Sequence, residues 1–93
     1  MIIGTCKVYM SADWVGNLKE KRTVVKSIVE RVKNRFNVSI AEIEDQDVHR
    51  SIVIGYACVT NSSRFADEVV NKVLKYIENN TDAVVHNVVI EIL

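Results

Sequence analysis

The amino-acid sequence predicts an α+β sandwich, a four-stranded antiparallel sheet with two helices packed on one face. Three observations carry this expectation. Four segments alternate with period two or are dense in β-branched residues, as strands are. Two segments repeat apolar residues at three- and four-residue steps, as half-buried helices do. These six follow one another as strand, helix, strand, strand, helix, strand, which is two right-handed crossovers joined by a hairpin.

The first strand is Ile2 to Met10, with Ile2, Gly4, Cys6, Val8 and Met10 on one face and Ile3, Thr5, Lys7 and Tyr9 on the other. Ser11 to Gly16 is a loop carrying the single Trp, Trp14. The first helix follows, from Asn17 to Asn37. Asn17 can accept from the first-turn N–H groups, and Glu20 stands where a capping box places it. Leu18, Val25, Ile28, Val29, Val32 and Phe36 form one apolar face, and Asn37 is the expected left-handed stop. Val38 to Glu44 is a short second strand, and the polar run from Asp45 to Arg50 is the loop of a hairpin. Ser51 to Thr60, apolar on both faces, is a central third strand. Asn61, Ser62 and Ser63 are each able to cap the second helix, whose apolar stripe is Phe65, Ala66, Val69, Val70, Val73, Leu74 and Ile77. The run Asn79-Asn80-Thr81-Asp82 breaks it, and Ala83 to Leu93 is the fourth strand.

This order is the ferredoxin-like arrangement, with the first and third strands central and the second and fourth at the edges. Glu42 and Glu44 guard the second strand. The fourth is long and apolar, which invites pairing with another chain.

Ninety-three residues make a single domain, residues 1–93, with a modest core and no large internal cavity. The charge is zero overall but lopsided. Between Leu18 and Phe36 stand seven Lys or Arg against two Glu, so the rest of the chain is acidic. A neutral total argues against a diffuse cationic field, but not against a local basic patch. Cys6 and Cys58 lack CxxC spacing and suit small core positions in a reducing, cytoplasmic setting. Neither a targeting segment nor a membrane span is expected.

Leu18-Lys19-Glu20-Lys21-Arg22, then Arg35-Phe36-Asn37-Val38-Ser39 running into Ala41-Glu42, then Gln46-Asp47, closely resemble the YlxP-like proteins. These are small bacterial proteins of unassigned function with a ferredoxin-like fold, and the likeness runs from the first strand to Glu91-Ile92-Leu93. Asp13-Trp14-Val15 departs from the small and Pro-Gly residues usual in that loop. The resemblance implies the fold and, because such proteins are typically encoded among translation and ribosome-maturation factors, a connection with RNA or the ribosome. It brings no catalytic residues.

The residues themselves suggest binding rather than catalysis. A phosphate-processing loop needs a glycine-rich cradle and an Arg after the first strand; here the loop has one glycine, Gly16, and the first Arg is Arg22 within the helix. No enzyme and no cofactor are expected. Glu44, Asp45, Asp47 and His49 are the most metal-like group, but without a glycine for a sharp turn they read as a solvated loop, and no metal is expected. His86, among valines, reads as a packed histidine. Gly55-Tyr56-Ala57-Cys58-Val59 matches the middle of an RNA-recognition strand but lacks its cation and most of its stacking rings.

The candidate RNA contacts are Lys19, Arg22, Lys26 and Lys33, a basic stripe able to neutralise phosphates. The alternative is a homodimeric protein-interaction module. If Tyr56 points away from the helices, Ile52, Ile54 and Tyr56 are the candidate interface. The opposite phase would put Val53, Gly55, Ala57 and Val59 there. A homodimer would form through this open sheet face or through the fourth-strand edge.

Overall fold

A computed structural model describes all 93 residues, Met1 to Leu93. The elements run β1 (Ile2–Ser11), α1 (Leu18–Arg35), β2 (Ser39–Glu44), β3 (Ser51–Thr60), α2 (Ser63–Asn79) and β4 (Val84–Ile92). The sheet order is β2-β3-β1-β4, every neighbouring pair antiparallel. Alternation decides the burial of β1. Gly4, Cys6, Val8 and Met10 are buried beneath the helices, and the residues between them are not. α2 packs chiefly on β1 and β3, while α1 lies towards β2. No helix is long and apolar enough to cross a membrane.

The helix ends follow local hydrogen bonding. Asn17 Oδ1 accepts from Glu20 N at 2.9 Å, and the Glu20 carboxylate reaches back to Gly16 N at 3.2 Å. Ser62 caps α2 by accepting from Phe65 N. Asn37 is not a left-handed stop. The chain leaves α1 through Phe36 in extended conformation (φ −129°), its N–H still bonded to Val32 O. The one non-glycine residue at positive φ is Asp45 (φ 57°), in the β2–β3 turn.

The reason for that turn is Lys21. This residue belongs to the most basic run of the chain, yet it is fully buried. Its ammonium donates to the carbonyls of Asp45 and Val48, the latter at 2.7 Å, and meets Glu42 Oε2 at 2.8 Å. Two donors thus have carbonyl acceptors, and Glu42 supplies the opposite charge. Glu42 Oε2, itself enclosed, makes no hydrogen bond, so the charge of the ammonium is what compensates it. Val48 N also donates to Asp45 O, and Ser51 Oγ donates to the Asp45 carboxylate, which closes the turn around the cation. Glu42 therefore does not guard the edge of β2; it is turned inward to Lys21.

The strand phase is equally definite. Ile52 and Ile54 are fully buried, Tyr56 nearly so, and the Tyr56 hydroxyl donates to Val70 O of α2 at 2.8 Å. These three residues face the helices, so the candidate interface of Ile52, Ile54 and Tyr56 is corrected. The open face of β3 carries Val53, Gly55, Ala57 and Val59 instead. The phenol explains the choice of phase. A buried Tyr hydroxyl needs an acceptor, and the Val70 carbonyl, on the helix above, supplies one.

Four measurements follow from this packing. Lys21→Met leaves Glu42 enclosed without its partner and should cost about 3 kcal/mol in urea unfolding, with at least half recovered in Lys21→Met/Glu42→Leu. A loss below about 1 kcal/mol would mean the ammonium is dispensable. Gly4→Ala sets a methyl group 3.0 Å from Val70 Cγ2 and 3.2 Å from both Ala66 Cβ and Cys58 Sγ, an overpacking expected to cost about 1–3 kcal/mol. Gly16→Ala, whose nearest neighbour is Glu20 Oε1 at 3.8 Å, should stay within about 0.5 kcal/mol of the parent. Burial raises both the Cys6 thiol and the Tyr56 phenol above their ordinary values. The unfolded chain therefore releases these protons first, so stability is full below about pH 8.5 and declines as pH rises towards the folded values. Urea midpoints at about pH 7 and pH 10 should show this decline, reduced in Cys6→Ala.

Candidate functional site

Residues of α1 advance by about 100° each, so burying Lys21, Val25, Ile28 and Val32 fixes the bearing of every other side chain. Lys19, Arg22, Lys26 and Lys33 fall together on one exposed flank. Of the four, only Lys26 has an ionic neighbour, Glu30 at 3.9 Å. Both are largely exposed, so the pair contributes little. The structure brings these four candidate residues together along about four turns of helix. Seven residues of rise separate Lys19 from Lys26 and Lys26 from Lys33, about 10 Å in each case.

The opposite flank of α1 faces α2. Arg31 Nη1 donates to Asn80 O at 3.4 Å, and the Arg35 guanidinium lies 5.1 Å from the Tyr76 ring centroid. The same ring meets Phe36 edge-on at 5.5 Å. Arg35, Lys72 and Lys75 line one cleft of about 280 Å³ with Tyr76 and Asn79. Reading one helix at a time misses this second cationic cluster. Lys72 and Lys75 are three apart on α2, and only the packing of the helices carries Arg35 to them.

The open sheet face holds a shallow concavity of about 480 Å³. Ala41, Gly55 and Ala57 form its floor, and Tyr9, Ile43 and Val89 stand around it. Ile43 closes over Gly55: a Cβ there would lie 2.7 Å from Ile43 Cδ1, so a larger residue would turn the isoleucine side chain aside. The Lys7 ammonium on this face pairs with Glu44 and lies 5.3 Å from the Tyr9 ring centroid. The hydrogen bond to Glu44, and then Tyr9, hold that ammonium above its ordinary range. With Tyr56 on the other side, the aromatic ring offered to a base is that of Tyr9, on β1.

The hairpin carboxylates do not converge. Glu44 is turned to Lys7 and Asp45 to Ser51, and no three His, Cys, Asp or Glu side chains gather at any point of the chain. His86 is not packed among valines. It is exposed, with Nε2 2.6 Å from Ser11 Oγ, where the β1–β4 register shifts between Tyr9 and Met10. One residue too many on β4 turns this ring out of the alternation.

Comparison with known proteins agrees with this architecture. A de novo designed protein with a ferredoxin fold, LFR1 1, solved in solution by NMR, superposes with a TM-score of 0.63. The superposition covers 98% of this chain and 86% of the designed one at 12% identity, a likeness of fold alone. The uncharacterized protein YlxP of Bacillus subtilis (strain 168) is 44% identical over 64 residues, 69% of this chain and 70% of that protein. The family described as protein of unknown function (DUF503) matches residues 3–90, from the first strand into the last. The chain belongs to this DUF503 family, and it is a YlxP-like protein.

Proposed function

We propose that the protein is a non-enzymatic binding module that engages RNA, or the RNA of the ribosome, in the cytoplasm through phosphate contacts from α1. The observation that carries this reading is the division of cations on that helix. Lys21 is turned inward and compensated, while Lys19, Arg22, Lys26 and Lys33 are left in water on one flank with a single loose ionic neighbour among them. Exposed cations in a row suit a polyanion, which gains affinity by releasing the counterions of each phosphate neutralised. They carry no base readout, so binding should be indifferent to sequence. The largest concavity is floored by small apolar residues, which suits contact rather than reaction. A second reading, a homodimeric interaction module, is favoured by a separate observation, the long unpaired edge of β4.

The test is a salt titration of binding to unrelated single-stranded RNA oligonucleotides, and of cosedimentation with purified ribosomes. Arg22→Glu/Lys26→Glu should weaken both and flatten the plot of log K against log salt by roughly 1.4, since each phosphate contact contributes roughly 0.7. Its circular dichroism should be unchanged. Equal binding by parent and variant would refute the reading. So would loss of binding in Lys72→Glu/Lys75→Glu with none in the α1 variant, because the site would then be the cleft between the helices.

A further inference from the structure

The two edges of the sheet are unlike. β2 is six residues long, its register shifts between Glu42 and Glu44, and both carboxylates are engaged by lysines. β4 is nine residues long and unpaired on its outer side. It carries no Lys, Arg or Pro, the residues that commonly blunt an edge. Ile90 and Ile92 are each 36% exposed, and Val89 is 42% exposed.

The backbone fixes which groups of β4 are free. Ile3 N donates to Leu93 O at 3.0 Å and Leu93 N to Ile3 O at 2.8 Å, so Leu93 gives both its polar groups to β1. In an antiparallel ladder these roles alternate. The register Thr5↔Glu91, Lys7↔Val89 and Tyr9↔Asn87 then gives the groups of Glu91, Val89 and Asn87 to β1 as well. Val88, Ile90 and Ile92 present theirs outward. Val88 N is covered only by its neighbour's side chain, Asn87 Oδ1, at 2.9 Å.

We infer that the outer edge of β4 docks a second copy of this chain, β4 against β4 in antiparallel, with Ile90 opposite Ile90 of the other copy. The outward set is self-complementary in this register. Ile90 pairs with Ile90, Val88 with Ile92 and Ile92 with Val88, so all six outward N–H and C=O groups are satisfied. Asn87 gives up Val88 N as this happens. On the helix side every facing pair is aliphatic. On the open side Val89 faces Glu91, and no like charges stand directly opposite. The irregularity at His86 ends the pairing, because a bulge twists the N-terminal part of the strand away. The product is a continuous eight-stranded sheet about a two-fold axis. A strand pair of this length is small beside the roughly 800 Å² per partner of a standard interface, so a dilution-dependent equilibrium is expected rather than an obligate dimer. The inference is independent of the phosphate reading, and nucleic-acid-free protein tests it alone.

Sedimentation velocity over a dilution series of the full chain should give a mass rising from 10.5 kDa towards twice that value. Ile90→Pro removes one outward N–H and none of the bonds to β1, and should stay at the mass of one chain. Ile90→Cys gives an independent arm should the proline variant not fold. Facing residues of a hydrogen-bonded pair lie about 5.5 Å apart at Cα, within disulfide reach, and the native Cys6 and Cys58 are buried. Mild oxidation should therefore link Ile90→Cys chains in pairs and leave Val84→Cys chains unlinked. A parent of constant monomer mass, a dimer that survives Ile90→Pro, or equal crosslinking at both positions would each overturn the inference.

Discussion

The enclosed ammonium of Lys21 is the constraint on which the arrangement depends. A charge taken out of water is costly unless it is paired and hydrogen-bonded, and here both come from the β2–β3 hairpin: the opposite charge from Glu42 and the acceptors from the carbonyls of Asp45 and Val48. That demand bends Asp45 to positive φ and draws the hairpin under the first turns of α1. A methionine would bury as well and cost less to desolvate. The lysine instead specifies geometry, since only one rotation of α1 about its axis lets the ammonium reach all three oxygens. The same rotation turns Lys19, Arg22, Lys26 and Lys33 outward. The buried cation and the exposed ones are thus two consequences of one helix phase.

Beneath the other helix the sheet is fixed by the Tyr56 hydroxyl, whose acceptor on α2 decides which side of β3 is covered. Two polar contacts, one under each helix, therefore do what aliphatic packing alone does weakly: they choose among near-equivalent apolar fits. The central strand is apolar on both faces, so hydrophobicity would accept either phase. What remains on the open side is a buried Val53 and a floor of Ala41, Gly55 and Ala57, with Ile43 lying over Gly55. Glu42 and Glu44, the acids of the β2 edge, are both engaged by lysines, so that edge is constrained by ion pairs, while the outer edge of β4 carries none.

The order of elements, their bounds to within two residues, the Asn17 N-cap, a choice of three caps for α2 and the central places of β1 and β3 were legible in the linear sequence, because each depends on near neighbours. Periodicity is a property of one segment, and capping of four consecutive residues. The exposure of Lys19, Arg22, Lys26 and Lys33 was legible for the same reason, as they lie opposite a clear apolar stripe. The membership of the DUF503 family could likewise be anticipated from runs such as Leu18 to Arg22 and Arg35 to Ser39.

What only the tertiary structure decided are the matters in which one segment answers to another. The burial of Lys21 is invisible in α1, where it looks like one more surface cation. It becomes intelligible only when three oxygens from residues 42 to 48 arrive around it. The phase of β3 could not be read from a strand apolar on both sides, and it turned on a carbonyl fourteen residues away. The cluster of Arg35, Lys72 and Lys75, and the exposure of His86 at a strand irregularity, also needed two elements to meet. Sequence records local preference well, but a buried polar group finds its partner through space, and that pairing is settled only when the chain has folded.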